Sequence, residues 1–345
     1  MSSGCPVIYI PGIMGSQLYL PEDGRKLWFS PPAVLTDANR LDIRSDLLVK
    51  NNGVDLQTVT PLEKEYGVLK QDVILIEWLC RIMPDSPVYF FSYDFRKSCR
   101  EAAKSLHDQI ERLIAKGFSK VNIVCHSMGG LVTSAYAAEY GVKELNKVVM
   151  LGVPFEGSYE VIRMYLTGDI REIPNAIVET VGITKEMVAG FPGLAELMPT
   201  MRYLAASPME LNGKPMHAAE MEAALSMLIP DTYADARIFQ KHVRSGYSLL
   251  VEKEDCFFGI GYGKTTLQTV SLSDKPDGRG KQENNKGDGL VSCFSSTMGG
   301  DLLALSDTRV KAFSVSHANL LRFPESLKWI GQCIRGGTCK EIEDI

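Results

Sequence analysis

The chain has 345 residues, 45% of them hydrophobic and 23% charged, with a formal net charge of -5. That size suits one large domain with insertions or two smaller ones, and the composition is that of a globular chain rather than a disordered one. The acidic balance, without any long Lys/Arg block, excludes a nucleic-acid partner; no apolar run reaches the ~18 residues that span a bilayer, and with no signal-like start a cytoplasmic chain is expected.

Short apolar runs rich in β-branched or aromatic residues read as strands. The first, VIYI at 7–10, enters the Gly-rich loop Pro11-Gly12-Ile13-Met14-Gly15-Ser16. A polar stretch over 28–61, with Pro31-Pro32, reads as a lid-like loop. A helix is expected over 66–83 and a strand over 87–91, which ends at Ser92-Tyr93-Asp94-Phe95-Arg96. An Asp and an Arg two apart after a buried strand predict an ion pair and loop hydrogen bonds, a structural role. Helices over 99–116 and 129–140 then alternate with strands over 121–125 and 148–151. Continuous apolar strands are those buried on both faces of a parallel sheet, so the alternation predicts an α/β class, a mostly parallel sheet flanked by helices.

The order breaks between 159 and 250. Met-rich helical segments over 176–189 and 218–228, interrupted by Gly182, Pro192, Gly193, Pro199, Pro208 and Pro230, read as a helical cap insertion without strands. Methionine suits adaptable apolar surfaces, and at helical spacing it suits ordinary core equally. Strands over 256–260 and 310–315 resume the sheet, with 273–289 a polar surface loop. The expected organisation is a core over 1–158 and 251–345, with the cap over 159–250 between them.

The stretch Ile123-Val124-Cys125-His126-Ser127-Met128-Gly129-Gly130 joins the 121–125 strand to the next helix. A serine at such a turn, with small residues two before and two after, marks a nucleophile elbow, because strand and helix backbones nearly touch there. Cys125 stands where the first glycine usually is, a tolerable enlargement. The helix N-terminus directs positive charge density to where an oxyanion would form. A buried Ser ending a strand is the bland alternative, and the strand, turn, helix order favours the nucleophile. His126, adjacent to Ser127 on a sharp turn, is expected to point away and pack.

A Ser hydroxyl needs a base and the base a carboxylate, in the chain order Ser, acid, His for an α/β-hydrolase. Of the five histidines, His107 lies on a helix before Ser127, and His217 and His242 lie in the insertion. His317, in the turn FSVSHANLL after the last strand, is the expected base. Asp288, flanked by Gly287 and Gly289, is the expected acid; Asp301 and Asp307 read as cap or turn residues. The oxyanion hole needs two backbone N–H groups, one from Met128 and the other expected from Ile13. That early loop has no Lys-Ser/Thr pair, which excludes a phosphate cradle.

Several stretches recur as an ordered set: Pro11-Gly12-Ile13-Met14-Gly15-Ser16-Gln17-Leu18, Leu27-Trp28-Phe29-Ser30-Pro31, Ser92-Tyr93-Asp94-Phe95-Arg96, the HSMGG elbow, Gly152-Val153-Pro154-Phe155-Glu156-Gly157-Ser158, Gly287-Asp288-Gly289-Leu290-Val291, and His317 with Leu320-Leu321. In this order they resemble the lecithin:cholesterol acyltransferase-like family of α/β-hydrolases, which includes lysosomal phospholipase A2 and phospholipid:diacylglycerol acyltransferases. The departures are Cys125 for Gly, Phe95 for Trp, and a lid region without the paired cysteines of animal members, which argues against a disulfide-pinned lid. The resemblance implies a bacterial-type member whose Trp28 segment opens a mobile lid.

It further implies a serine hydrolase or O-acyltransferase acting on lipid-like acyl esters through Ser127, Asp288 and His317. Met14 and Trp28 are expected at the substrate and lid, with transient membrane-surface contact. Neither a cofactor nor a metal is called for. A small-ester or polyester carboxylesterase and a catalytically silent binding protein are the rival readings. The eight cysteines are scattered without a CxxC pair, so free thiols are expected, with Cys333 and Cys339 alone close enough for a local bridge.

Overall fold

Six of the apolar runs pair into one sheet in a computed structural model that describes residues 4–28, 38–50, 52–58, 70–168, 184–272 and 280–336. The strands are β1 (Val7–Ile10), β2 (Val88–Phe90), β3 (Val121–His126), β4 (Leu145–Leu151), β5 (Cys256–Gly261) and β6 (Val310–Phe313). Their spatial order is β6-β5-β4-β3-β1-β2 and every pairing is parallel. Ile10 pairs with Cys125 and Cys125 with Met150, which brings the carboxyl ends of the three central strands level.

The longer helices are α1 (Lys70–Ile82), α2 (Cys99–Ala115), α3 (Met128–Tyr140), α4 (Tyr159–Thr167), α5 (Ala218–Leu228), α6 (Tyr233–Glu252) and α7 (Pro324–Arg335). Successive strand residues face opposite sides. Ile8, Ile10, Ile123, Cys125 and Met150 pack with Leu106 of α2, Leu131 of α3 and Phe239 of α6. Val7, Tyr9, Val124, Val149 and Leu151 pack on the other side with Leu75 and Leu79 of α1 and Ile330 of α7. Burial of each large aliphatic side chain contributes about 2 kcal/mol. Both faces of the central strands are covered, and that is why the buried runs of β1, β3 and β4 carry no polar alternation.

Helix α3 is buried almost all round, as befits a helix central to its layer. Gly246 lets α6 lie directly on it: a Cβ there would sit 1.9 Å from the Ser134 carbonyl oxygen. Ser98 caps α2 by accepting from Arg100 N–H, and Ser158 caps α4 by accepting from Glu160 N–H.

Two expectations change. The stretch between β4 and β5 contains a small hairpin, Glu210–Leu211 with Lys214–Pro215, turned at Asn212-Gly213 with φ of +50° and +77°. Both central residues lie at positive φ, as in a type I′ turn, for which Asn-Gly is suited. The polar run taken in sequence as loop contains a strand, Gln282–Gly287, paired antiparallel with Lys264–Leu267 as an exposed arm. Helix α1 is described from Lys70, and the expected residues 66–69 lie outside the described segments, as do 29–37, 51 and 59–61 of the lid-like stretch and 169–183 of the cap. Cys333 is a buried free thiol, and Cys339 lies outside the described residues.

The Asp94–Arg96 pair forms as expected. Arg96 is fully buried, pairs with Asp94 at 2.6 Å, and donates to the carbonyls of Leu41, Asp42 and Ser45, tying the 38–45 segment to the end of β2. Pro192–Ala195, from the insertion, sits on the same loop; a Cβ on Gly193 would lie 2.4 Å from the carbonyl oxygens of Phe95 and Lys97.

Candidate active site

Ser127 sits between β3 and α3 with φ +52° and ψ -125°, a conformation that side chains bearing a Cβ rarely adopt. Two backbone bonds hold the turn: Ser127 N–H donates to the Leu151 carbonyl at 2.9 Å, and Gly130 N–H to the Ser127 carbonyl at 2.9 Å. The glycines around it are fixed by contact rather than flexibility. A Cβ on Gly129 would lie 2.4 Å from the Ile10 carbonyl oxygen, and one on Gly12 would lie 3.0 Å from Ser127 Cβ. Cys125 is accommodated because its side chain enters the core, where its thiol lies 3.6 Å from the Val149 carbonyl oxygen. Burial pushes that thiol up to about 12, so it stays protonated.

Asp288 and His317 are joined. His317 Nδ1 lies 2.7 Å from Asp288 Oδ2, and the His317 backbone N–H donates to the Asp288 carbonyl at 3.0 Å. The other carboxylate oxygen accepts the backbone N–H groups of Leu290 at 3.0 Å and Val291 at 2.8 Å. Both side chains are buried, with Asp288 1% exposed. The acid can approach the sheet because β5 ends in glycine: a Cβ on Gly261 would sit 2.6 Å from Asp288 Cβ. The histidine loop likewise needs Gly152, at φ +57°, where a Cβ would meet Leu320 at 2.9 Å and His317 at 3.2 Å.

Ser127 and His317 line one cavity of about 100 Å³. Its wall includes Gly12, Ile13 and Met14 from the early loop, Val161 and Met164 from α4, and Leu194 and Leu197 from the insertion. Ile13 is half-buried at this wall, and Met128 opens α3, where the first N–H groups have no intrahelical acceptor. Met14 is held at φ +63°. Trp28 does not line this cavity; its indole donates to the Met14 carbonyl at 3.0 Å and its ring meets Phe95 edge-on at 5.5 Å, so it supports the loop from behind.

The alternatives lie elsewhere. His107 stacks on Tyr140, His242 lies 3.1 Å from Glu139, and His217 caps α5 in a reciprocal pair with Glu220. Asp301 pairs with Arg202 at 2.6 Å on the surface, and Asp307 is exposed at a second, shallow groove. Among the described residues no cluster of His, Cys, Asp or Glu is arranged to hold a metal ion.

The cavity also holds groups that no sequence motif marks. Asp72 on α1 accepts from the Tyr9 hydroxyl, and Glu160 pairs with Arg163 at 2.6 Å on α4. The i, i+3 spacing of Glu160 and Arg163 is a helix-pair signal, but nothing in it points to a cavity. His126 lines the cavity as well, with its ring centroid 4.5 Å from that of His317. Burial and the neighbouring His317 hold its pKa well below the usual imidazole value, so it is neutral.

The family model of lecithin:cholesterol acyltransferase matches residues 40–249, more than half of the chain. The chain is similar to lecithin-cholesterol acyltransferase-like 4 of Arabidopsis thaliana, 25% identical over 186 residues, which are 44% of this chain and 34% of that protein. The match therefore spans about a third of that relative's length. In three dimensions the chain resembles one in the Tle4–Tli4 complex, with a TM-score of 0.67 at 15% identity, over 96% of this chain and 98% of the other. At that identity the likeness speaks to fold.

Proposed function

Because the chain belongs to the lecithin:cholesterol acyltransferase family of α/β-hydrolase-fold proteins, we propose that it is a serine-dependent acyl-ester hydrolase or O-acyltransferase. In this reading Ser127 attacks the ester carbonyl, and His317 takes its proton and returns it to the leaving alcohol. Asp288 orients His317 through Nδ1 and stabilises the imidazolium that forms. The N–H groups of Ile13 and Met128 face the oxyanion of the tetrahedral intermediate. The carbon–oxygen bond to the alcohol breaks and an acyl-enzyme remains. Water then gives a free acid, and a second alcohol gives a new ester.

The observation that carries this reading is a serine held at positive φ on the wall of the same cavity as a histidine tied to a buried carboxylate. The wall formed by Met14, Val161, Met164, Leu194 and Leu197 is apolar, which favours a lipid-like acyl group over a polar one. Transient contact with a lipid surface belongs to the same proposal. A small-ester carboxylesterase shares the chemistry, and acyl-chain preference separates the two.

The test supplies a labelled acyl phospholipid with excess long-chain alcohol and counts free acid against new ester, with Ser127→Ala as blank. Ser127-dependent product of either kind supports the reading, and the ratio distinguishes hydrolysis from transfer. Loss of neither product in Ser127→Ala overturns it, as does failure of a fluorophosphonate to label Ser127. Vesicle flotation of the intact protein checks the surface contact.

A further inference from the structure

The mechanism above leaves one cavity histidine without a task. His126 is 6% exposed, precedes the proposed nucleophile in sequence, and has its Nε2 3.3 Å from the backbone carbonyl oxygen of His317. A carbonyl can only accept, so the bond requires the proton of His126 to be on Nε2. The opposite edge of the ring faces the early loop: a Cβ on Gly12 would lie 3.2 Å from His126 Nδ1. One side chain thus touches the loop that carries Ile13, adjoins Ser127 and holds the main chain of His317.

We infer that His126 is a positioning residue, whose Nε2–H donates to the His317 carbonyl and fixes the histidine turn relative to the serine turn. The inference rests on the proposed Ser127 chemistry and adds to it a tie that the acid does not provide. Asp288 holds the His317 ring and its backbone N–H, but both of those bonds join the two distal loops to each other. The His126 bond relates that pair directly to the end of β3, where Ser127 follows, since His126 is the last residue of β3. A rigid tie of this kind matters because small misplacement of a reacting group is expensive in rate.

Neutrality is part of the role. A proton on Nδ1 as well would place a second cation 4.5 Å from the imidazolium that His317 becomes. Burial suppresses that form, and the direction of the His126 shift agrees.

The test compares His126→Phe, which keeps a ring in the space, with His126→Gln, whose side-chain amide N–H can reach the position of Nε2. The readouts are kcat and KM for Ser127-dependent ester turnover, the thermal midpoint, and the nitrogen-15 spectrum of the histidines in the wild type. The expected result is a wild-type His126 protonated on Nε2, and a kcat in His126→Phe lowered by about tenfold or more with KM within about twofold. His126→Gln is expected to regain most of kcat. Equal rates in His126→Phe and the wild type overturn the inference. So does His126→Gln performing no better than His126→Phe, or a His126 proton on Nδ1. Absence of Ser127-dependent turnover in the wild type overturns the catalytic reading itself, which keeps the two failures apart.

Discussion

Asp288→Asn preserves shape and removes charge, and the surroundings decide how the amide must sit. Oδ1 accepts from the N–H groups of Leu290 at 3.0 Å and Val291 at 2.8 Å, so the amide oxygen must take that side. Its NH₂ group then faces His317 Nδ1, 2.7 Å from the carboxylate in the native protein. Opposite a donor, Nδ1 can only accept, and the imidazole is locked with its proton on Nε2. That tautomer cannot take a proton from Ser127. The expected loss in kcat/KM is about 10⁴-fold, or roughly 5 kcal/mol of transition-state stabilisation. Folding stability should change by less than about 1 kcal/mol, because every hydrogen bond keeps a partner. Asp288→Ala is expected to behave differently. It leaves two buried N–H groups without their acceptor and should lower stability by on the order of 3 kcal/mol. Ester turnover, read beside urea denaturation of both variants, tests this. An Asp288→Asn enzyme within about tenfold of the wild type would refute the argument that Asp288 sets the tautomer of His317.

Ser127→Gly should abolish turnover yet raise stability by about 1 kcal/mol in urea denaturation, since glycine accepts the φ of +52° without strain. Gly129→Ala should lower stability by about 3 kcal/mol or more in thermal unfolding, because its methyl group meets the Ile10 carbonyl at 2.4 Å and one of two backbones must move. Glu196 is a buried carboxyl that desolvation pushes up to about 7, against the lowering effect of donors at Ser98 and Cys99. Its contribution is fully present below the unfolded value near 4.5 and is lost as pH rises toward 7; Glu196→Gln should flatten that decline, of about 3 kcal/mol, in stability measured against pH.

The parts that can be read from sequence are those where chemistry restricts residue type. Ser127 follows a mostly apolar strand and lies just before Gly129 and Gly130, and those two glycines have a steric cause that the structure displays at Ile10 and Val153. Asp288 stands between glycines because its loop turns sharply, with Gly289 at φ +102°. The Gln282–Gly287 strand is hidden for the opposite reason: its side chains are mostly exposed and polar, so no alternation marks it. The Asn212-Gly213 turn does carry a signal, but its flanking strands are two residues each, too short to give a period. Asp72 on α1 and the Glu160–Arg163 pair on α4 reach the cavity from helices far apart in sequence, and only the fold brings both helices to its wall.

Gly12, Gly129, Gly152 and Gly261 each stand where a Cβ would strike a different part of the site: the serine, the early strand, the histidine and the acid. The relative positions of these parts are therefore set by close approach to glycine at the ends of β1, β3, β4 and β5, against backbone at Gly129 and against the site side chains at the other three. The remaining wall is different in kind. Val161, Met164, Leu194 and Leu197 come from the long connection between β4 and β5, and none of their side chains is among the atoms that those four glycines meet. Substitution at the glycines should decide whether the reaction occurs at all, while substitution at Met164 or Leu197 should alter which acyl group is accepted. A chain-length series on Met164→Ala against the wild type separates these roles: a shifted optimum with Ser127 labelling intact fits this division, and an unshifted optimum with slower labelling contradicts it.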